Sequence, residues 1–417
     1  MEKIKMVKHL SLRTGTLMLL IVMLLAACQT AGPAPEVTQT EAIQPQSATA
    51  TTKPSSTPVT PTATQAPPTA TATTAPTATP QAYGPDNFPA DVNPLTGLQV
   101  SDTSLLDRRP LAVKVQMFPR GQRPPWGVSL ADIVYDFYQN FGATRFNAIF
   151  YGHDASQVGP IRSGRMLDRD IVQMYQAIFA FGSADQRILN YLYNSSIGDR
   201  MIIPGPSACP PLCRIDPNGF NYLVADTEKI TQYAEENNIN NERQDLNGMS
   251  FDPTLAEGGA DAGQVFVRYN FSNYNRWDYD EASHRYLRFQ ETENDEGNGE
   301  SYAPLLDRLN DQQIAADNVV ILFATHDFAF NTRPGQNEIV DIRLSGSGSA
   351  YAFRNGQGYE LRWNRPTPDA TLFLTFPDGE PYPYKPGNTW YQVIGQSSQV
   401  ESGGNAGEAW RFTFSIP

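Results

Sequence analysis

Histidine and cysteine are scarce here: the 417 residues contain four of the first and three of the second. Beyond residue 27 the histidines are His153, His284 and His326, too far apart for metal-ligand spacing, so no metal is expected. A zinc or redox role for Cys209-Pro-Pro-Leu-Cys213 lacks the Cys-x-x-Cys spacing and a nearby histidine. No Walker loop or dinucleotide fingerprint occurs, and no cofactor is expected. The Ser345-Gly-Ser-Gly348 run lacks the Gly-x-Ser-x-Gly order of a nucleophile elbow and reads as a close turn. Basic residues are also in deficit, with 31 Lys+Arg against 44 Asp+Glu and a net charge of -13. Such acidity argues against nucleic acid or an anionic lipid surface as a partner.

What is present starts at the N-terminus. Lys3, Lys5, Lys8 and Arg13 precede an apolar stretch, Leu17 to Leu25, which ends in Ala26-Ala27-Cys28. A basic start, a short apolar core and small residues before the cut describe an export signal over residues 1–27. Cys28 directly after Leu-Ala-Ala resembles the bacterial lipobox, in which the thiol is acylated and holds the protein on a membrane. A plain signal peptide with an incidental cysteine, or an uncleaved anchor, is the alternative. Extracytoplasmic, lipid-anchored placement is the expectation.

From Gln29 to Gln81 the chain is almost all Thr, Ala and Pro. Ordering it would cost backbone entropy with few apolar groups to bury, so residues 28–84 read as a disordered stalk. Its prolines favour extended conformers of up to ~3 Å per residue, enough to hold a body well over ~100 Å from the bilayer. Without residues 1–27 the chain keeps 27 basic and 43 acidic residues, a net of -16. Cys209 and Cys213 then remain, and outside the cytoplasm a local disulfide is their expected state.

The remaining length suggests two domains, 85–247 and 248–417, each burying its own core. The expected class is α+β: a mixed α/β domain followed by a mainly antiparallel β domain. In the first, Leu111–Met117, Thr144–Tyr151 and Ala177–Phe181 read as strands, and Asp168–Tyr175 and Gln186–Tyr193 as helices. Ser129-Leu-Ala-Asp132 reads as a helix start, with Ser129 as cap. In the second, Asn355-Gly356 and Asp378-Gly379 mark hairpins, and Asn318–Ala324 is a core strand.

These segments resemble the YerB-like lipoproteins defined by the DUF3048 domain. The resemblance rests on Asn93-Pro-Leu-Thr-Gly-Leu98, Arg109-Pro-Leu-Ala-Val113, Ser129-Leu-Ala-Asp-Ile-Val-Tyr135, Thr144-Arg-Phe146 and Gly159-Pro-Ile-Arg-Ser-Gly-Arg165. It continues with Asp317-Asn-Val-Val320, Gly346-Ser-Gly348, Trp363 and Lys385-Pro-Gly-Asn-Thr-Trp390. It implies a cell-envelope lipoprotein with two parts and names no reaction. Two positions depart from the family pattern. Gln116-Met-Phe118 stands where relatives often have an Asn or Asp-Asn, and Phe220-Asn-Tyr222 replaces a His-Asn-Leu-like run.

One constellation stands against the acidic background. Between Leu105 and Asp170 lie nine basic residues, eight of them Arg, and six Asp. Arginine's planar fork suits carboxylates and phosphates. Arg145, together with Arg162, Ser163 and Arg165 ahead of a predicted helix, forms the candidate anion-binding set. The ligand expected is a cell-wall polymer phosphate, a polyprenyl-phosphate-linked precursor or a peptide carboxylate, and the partner an envelope protein or polymer. The competing reading has these arginines pairing with Asp132, Asp136, Asp168 and Asp170 to hold the fold. An enzymatic alternative uses Asp132 and Asp136, four apart and so on one helical face, as acid, base or metal ligands beside Arg145, Arg162 and Arg165. Aromatics make up 11% of the chain. Trp277, Trp363 and Trp390 would stack on glycans if exposed, or pair across strands if buried.

Overall fold

Runs such as Leu111-Ala-Val-Lys-Val115 and Ile133-Val-Tyr-Asp-Phe-Tyr138 are rich in β-branched and aromatic residues, which pack well on a pleated surface. They form the centre of the molecule. The computed structural model describes residues 81–205, 208–403 and 409–416. The expected signal segment, Cys28 and the stalk up to residue 80 lie outside the described residues.

After a short antiparallel pair, Val92–Asn93 with Leu98–Gln99, come three long strands: β1 (Leu111–Gln116), β2 (Ile133–Asn140) and β3 (Ala143–Phe150), antiparallel with β3 in the middle. Helix α1 (Met166–Met174) then crosses over to β4 (Ile178–Ala180), which runs parallel to β1. Its buried side includes Leu167, Ile171, Val172 and Met174. Next come α2 (Gln186–Tyr193), whose cap Asp185 accepts from the Arg187 amide, and β5 (Met201–Ile202). A ribbon of β6 (Leu212–Ile215) and β7 (Tyr222–Ala225) leads into α3 (Thr227–Glu236). Cys209 and Cys213 are joined by a disulfide at the entrance to β6.

The later half contributes β8 (Gln264–Asn270), β9 (Asn273–Asp280) and β10 (Arg285–Glu291), then β11 (Asn318–Phe328). The hairpin of β12 (Gly346–Arg354) and β13 (Gln357–Arg365) turns at Asn355-Gly356. Both turn residues have positive φ, 50° and 74°, as a type I′ turn requires. β14 (Thr389–Gly395), β15 (Gln399–Ser402) and β16 (Ala409–Thr413) complete the chain. At Asp378-Gly379 the chain turns back on itself as expected, with Thr375 bridged antiparallel to Pro381, and Pro383–Tyr384 then pairs in parallel with Ser250–Phe251. The structure is mainly β, with three α-helices among the described residues.

β14 decides the architecture. It lies between β11 and β2 and is parallel to both, so one 12-stranded sheet runs through both halves of the sequence. A 7-stranded sheet built on β8, β9, β10, β15 and β16 covers one face, and α1 and α2 lie toward the other. A single hydrophobic core contains Val113, Phe146, Trp277, Val319 and Trp390 together. Each large apolar side chain so buried contributes roughly 1.5–3 kcal/mol. Whatever division the sequence carries at residues 247 and 248, the core is not divided there.

The helix expected at Ser129 is absent. Val128–Leu130 forms one 3-10 turn, and the strand begins at Ile133. Instead of capping, the Ser129 amide donates to Asp307 Oδ2 at 2.8 Å, and the Asp132 carboxylate accepts from the Tyr151 and Gly152 amides. Tertiary hydrogen bonds and the strand-forming run after Asp132 override the local helix signal.

Candidate functional site

Strand alternation sorts the polar residues of the central sheet onto two faces. Lys114, Gln116, Arg145 and Asn147 share the face toward α1, through the register Gln116↔Arg145 and Lys114↔Asn147. Asp136, opposite Phe146, points the other way, into the layer between the two sheets. There its Oδ2 accepts from Arg288 at 2.9 Å, and neither side chain reaches solvent. The Arg288 guanidinium also lies over the Trp390, Trp277 and Phe146 rings at 4.8, 5.1 and 5.2 Å. Burial raises the Asp136 carboxyl above its ordinary range despite Arg288. Asp136 is a core counter-ion, beyond the reach of a substrate.

Asp132 is placed elsewhere. Its amide bonds the Ile149 carbonyl, and Arg145 lies four residues earlier on the same strand, about 13 Å away along it. Asp132 lines a depression of about 280 Å³ with Thr96, Ser129, His153, Arg285 and Asn388. Asn93 Nδ2 donates to its Oδ1 at 3.0 Å, and Asp132 raises the basicity of His153, whose Nδ1 is 3.8 Å away. The structure therefore does not bring Asp132 and Asp136 together, nor Asp132 to the arginines. The shared helical face assumed for the two acids is replaced by a strand and its approach.

Arg145, Arg162, Ser163 and Arg165 do come together. β1 ends at Gln116, whose amide donates to the Pro160 carbonyl, while the Arg162 amide donates to that of Lys114. From the other side the Ile161 amide donates to Leu223 in β7 and the Gly182 amide to Arg162. The segment 159–165 is thus pinned across the ends of β1 and β4, just before α1. Arg145 donates to the Ser163 carbonyl at 2.8 Å, and Arg165 to the Gly164 carbonyl at 2.9 Å. Arg162 Nε donates to Gln116 Oε1, and Nη2 to Gln122 Oε1 at 3.2 Å. All four candidate residues are half-buried.

The acids expected to neutralise them are engaged elsewhere. Asp168 pairs with Lys114 at 3.0 Å, with both side chains fully buried, and its Oδ2 accepts from the Arg165 amide. Asp170 pairs with Arg169. Arg108 meets Asp154, and Arg120 and Arg123 meet Glu291. Arg109 is spent on Asn240 and the Gln176 carbonyl. Among the described residues Arg145, Arg162 and Arg165 have no carboxylate oxygen within 4.0 Å; their partners are neutral oxygens. Burial, reinforced by Arg165, pushes Arg145 down to about 8. Burial lowers Arg162, with Arg214 of β6 adding to it, and also lowers Arg165. Burial takes Lys114 to about 7 although Asp168 opposes it. The cluster is a concentration of positive charge with no carboxylate in contact, offset only at longer range by Asp168 and Asp185.

Sequence reasoning missed Gln116, Gln122 and Arg214 as members of this group. A pattern along the chain does not show what the amide of Gln116 touches. The second departure also lies here. Gly121, beside Gln122, faces Phe220, and the carbonyl of Leu223, the residue after Tyr222, accepts from the Ile161 amide.

The aromatic alternative does not survive. Trp277, Trp363 and Trp390 are at most 3% exposed. Trp277 and Trp390 pack edge to face with centroids 5.2 Å apart, and the Trp363 indole donates to the Phe323 carbonyl.

Comparison with known proteins agrees with the layout. Residues 95–239 match the family described as "Protein of unknown function (DUF3048) N-terminal domain", and residues 265–391 match its C-terminal domain. YerB of Bacillus subtilis strain 168, named as a candidate lipoprotein, is 26% identical over 314 residues. The match covers 72% of this chain and 85% of that protein. The crystal structure of YerB from Bacillus subtilis superposes with a TM-score of 0.59 at 23% identity, covering 73% of this chain and 96% of the other. The fold is therefore shared, with the segments that carry Arg145, Arg162 and Arg165 inside the N-terminal match. The chain belongs to the DUF3048 family of YerB-like proteins.

Proposed function

We propose that this protein is an extracytoplasmic lipoprotein, held on the membrane through Cys28, whose folded body binds an anionic group of the cell envelope at Arg145, Arg162, Ser163 and Arg165. The observation that carries the binding reading is the set of three clustered arginines whose hydrogen bonds go to neutral oxygens. Other cations of the fold meet carboxylates, as at Lys114, Arg169 and Arg288, while Arg109 and Arg354 are singly held by neutral oxygens; at this site three such arginines stand together. The export signal and the small-residue run before Cys28 support the anchor, as does the lipoprotein name of the Bacillus relative. On this reading the body stands away from the bilayer on the stalk and meets a polymer, precursor or envelope protein there.

The reading includes no catalytic step. Asp136 is sealed in the core, and Asp132 is held by backbone amides far from the arginines. Titration of the full chain with phosphate or sulfate tests the binding. Saturable binding that is lost in Arg162→Ala plus Arg165→Ala, with the fold intact by circular dichroism, is the expected result. No binding in either protein would end the proposal.

A further inference from the structure

Gln116 carries an observation that the arginines do not. It is 4% exposed, and its amide lies against the Arg162 guanidinium. Arginine has only donors, so the oxygen of the amide must face it and the nitrogen must point away. That Nε2 is buried and has no hydrogen-bond partner. A buried, unmatched amide N–H costs about 1–3 kcal/mol. Gln116 stands opposite Arg145 in the strand register and its side chain touches Arg162, so it neighbours two of the three arginines. Its free donor belongs to the same concentration of N–H groups as the free nitrogens of the three guanidiniums.

The charge count narrows what could satisfy those donors. Lys114 and Asp168 pair with each other, which leaves three guanidiniums without a contacting carboxylate; at longer range Arg214 adds positive charge beside Arg162, and Asp168 and Asp185 add negative charge beside Arg165. A carboxylate offers two oxygens and one charge, and a phosphate diester offers two terminal oxygens and one charge. A phosphate monoester or terminal pyrophosphate offers three oxygens and close to two charges. Three oxygens match three separate arginine forks, with one further acceptor position for the Gln116 amide.

We infer that the arginine site takes a terminal, doubly charged phosphate group, a phosphomonoester or pyrophosphate, and that Gln116 Nε2 is one of its direct donors. This rests on the anion-binding reading above and narrows it. The site discriminates by number of oxygens and charge, and it rejects carboxylates and internal phosphodiesters. Gln116 then acts as a ligand-contacting residue of this protein.

The test is calorimetric titration of the full chain in detergent with inorganic pyrophosphate, inorganic phosphate, dimethyl phosphate and acetate. Pyrophosphate and phosphate should bind at least about tenfold more tightly than the two monoanions, a difference of about 1.4 kcal/mol. Gln116→Ala should weaken pyrophosphate several-fold, and Gln116→Glu should abolish binding by placing a negative charge at the donor position. Melting temperatures of both variants guard against misfolding. If either variant is unfolded, protection of the Gln116 side-chain amide by pyrophosphate in the unmodified protein, followed by NMR, replaces it. Equal affinity for acetate or dimethyl phosphate would overturn the dianion assignment while leaving anion binding in place. Unchanged affinity in Gln116→Ala would overturn the role of Gln116. Absence of all binding would remove both readings. Phosphatidylcholine vesicles containing phosphatidic acid separate the sources: recruitment reversed by pyrophosphate marks a lipid-borne phosphate, and soluble binding without recruitment marks a free or polymer-borne one.

Discussion

Lys114 Nζ lies 3.0 Å from Asp168 Oδ1, and neither side chain has any exposure. The pair fastens β1 to the first turn of α1, directly beneath the arginine site. Asp168 also accepts from the Arg165 amide and from Asn147 Nδ2, so it holds three separate elements. Removing one partner of a buried pair leaves the other charge uncompensated, at a cost of about 3–5 kcal/mol. Lys114→Met should therefore destabilise severely in denaturant melts. Adding Asp168→Asn should recover part of the loss, since the amide oxygen can still accept from Arg165. A double variant no more stable than Lys114→Met would contradict this account.

Anion binding should draw protons from solution near neutral pH. Burial holds Lys114 at about 7 and Arg145 at about 8, with Arg165 adding repulsion and Asp168 opposing it. A bound dianion favours the charged form of both bases, so both are raised in the complex. Protonation then accompanies binding, and affinity increases as pH falls from about 9 to about 7. Sulfate is the suitable probe, because it does not titrate in that window. Calorimetry in buffers of different ionisation enthalpy counts the protons, and a pH-independent affinity with no uptake would refute the linkage.

His326 sets a different pH dependence. It is 3% exposed, bonds the Ala324 carbonyl through Nδ1, and packs edge to face on Phe414. Burial lowers it to about 4 from an ordinary 6.5. The unfolded chain thus binds a proton that the folded protein refuses between those values. Stability is retained above about 6.5 and lost as pH falls toward 4, by up to about 3 kcal/mol. His326→Leu should flatten the melting temperature between pH 6.5 and 4 relative to the unmodified protein. Parallel profiles would show that His326 is not the source.

The two family-matched segments should not fold apart. β14 joins β11 to β2 through parallel ladders, Trp390↔Val319 on one side and Trp390↔Val134 on the other. Cutting the chain between 247 and 248 leaves β2 an open edge in one piece and β14 an open edge in the other. Each fragment alone should lack a cooperative thermal transition, and the two coexpressed should copurify. Two independent, cooperative transitions from separate fragments would contradict the shared sheet.

Local features were legible where local chemistry decides them. The hairpin at Asn355-Gly356 could be read because a type I′ turn needs positive φ at two successive residues, and Asn-Gly supplies it most cheaply. Helix α2 was legible to the residue, from Gln186 to Tyr193, because its apolar residues recur at helical spacing behind an Asp cap. Ser129-Leu-Ala-Asp132 misled because its cap and acid also fit a strand entry, once Asp307 and the Tyr151 and Gly152 amides are in reach. Helix α3 from Thr227 to Glu236 went unread, and residues 237–249 after it form neither helix nor strand.

At the site, residue type was legible and pairing was not. An excess of arginines in an acidic chain marks the region, and Arg145, Arg162 and Arg165 do meet in space. Which of nine bases find carboxylates depends on strand parity and on partners far along the chain. Glu291 neutralises Arg120 and Arg123 from a distance of some 170 residues, and Arg288 takes Asp136 from a separate sheet.

The sequence by itself determined composition-borne properties: an acidic chain poor in His and Cys, an N-terminal signal pattern ending at Cys28, a Thr/Pro/Ala stretch, and short strands broken by turn residues. Tertiary structure alone decided that Asp136 is a core counter-ion, that Asp132 stands apart, and that three arginines are left over with the amide of Gln116 among them. Backbone conformation and composition act over a few residues, and so can be read along the chain. Charge compensation and burial act through space, and are settled only once β14 has drawn the two halves into one sheet.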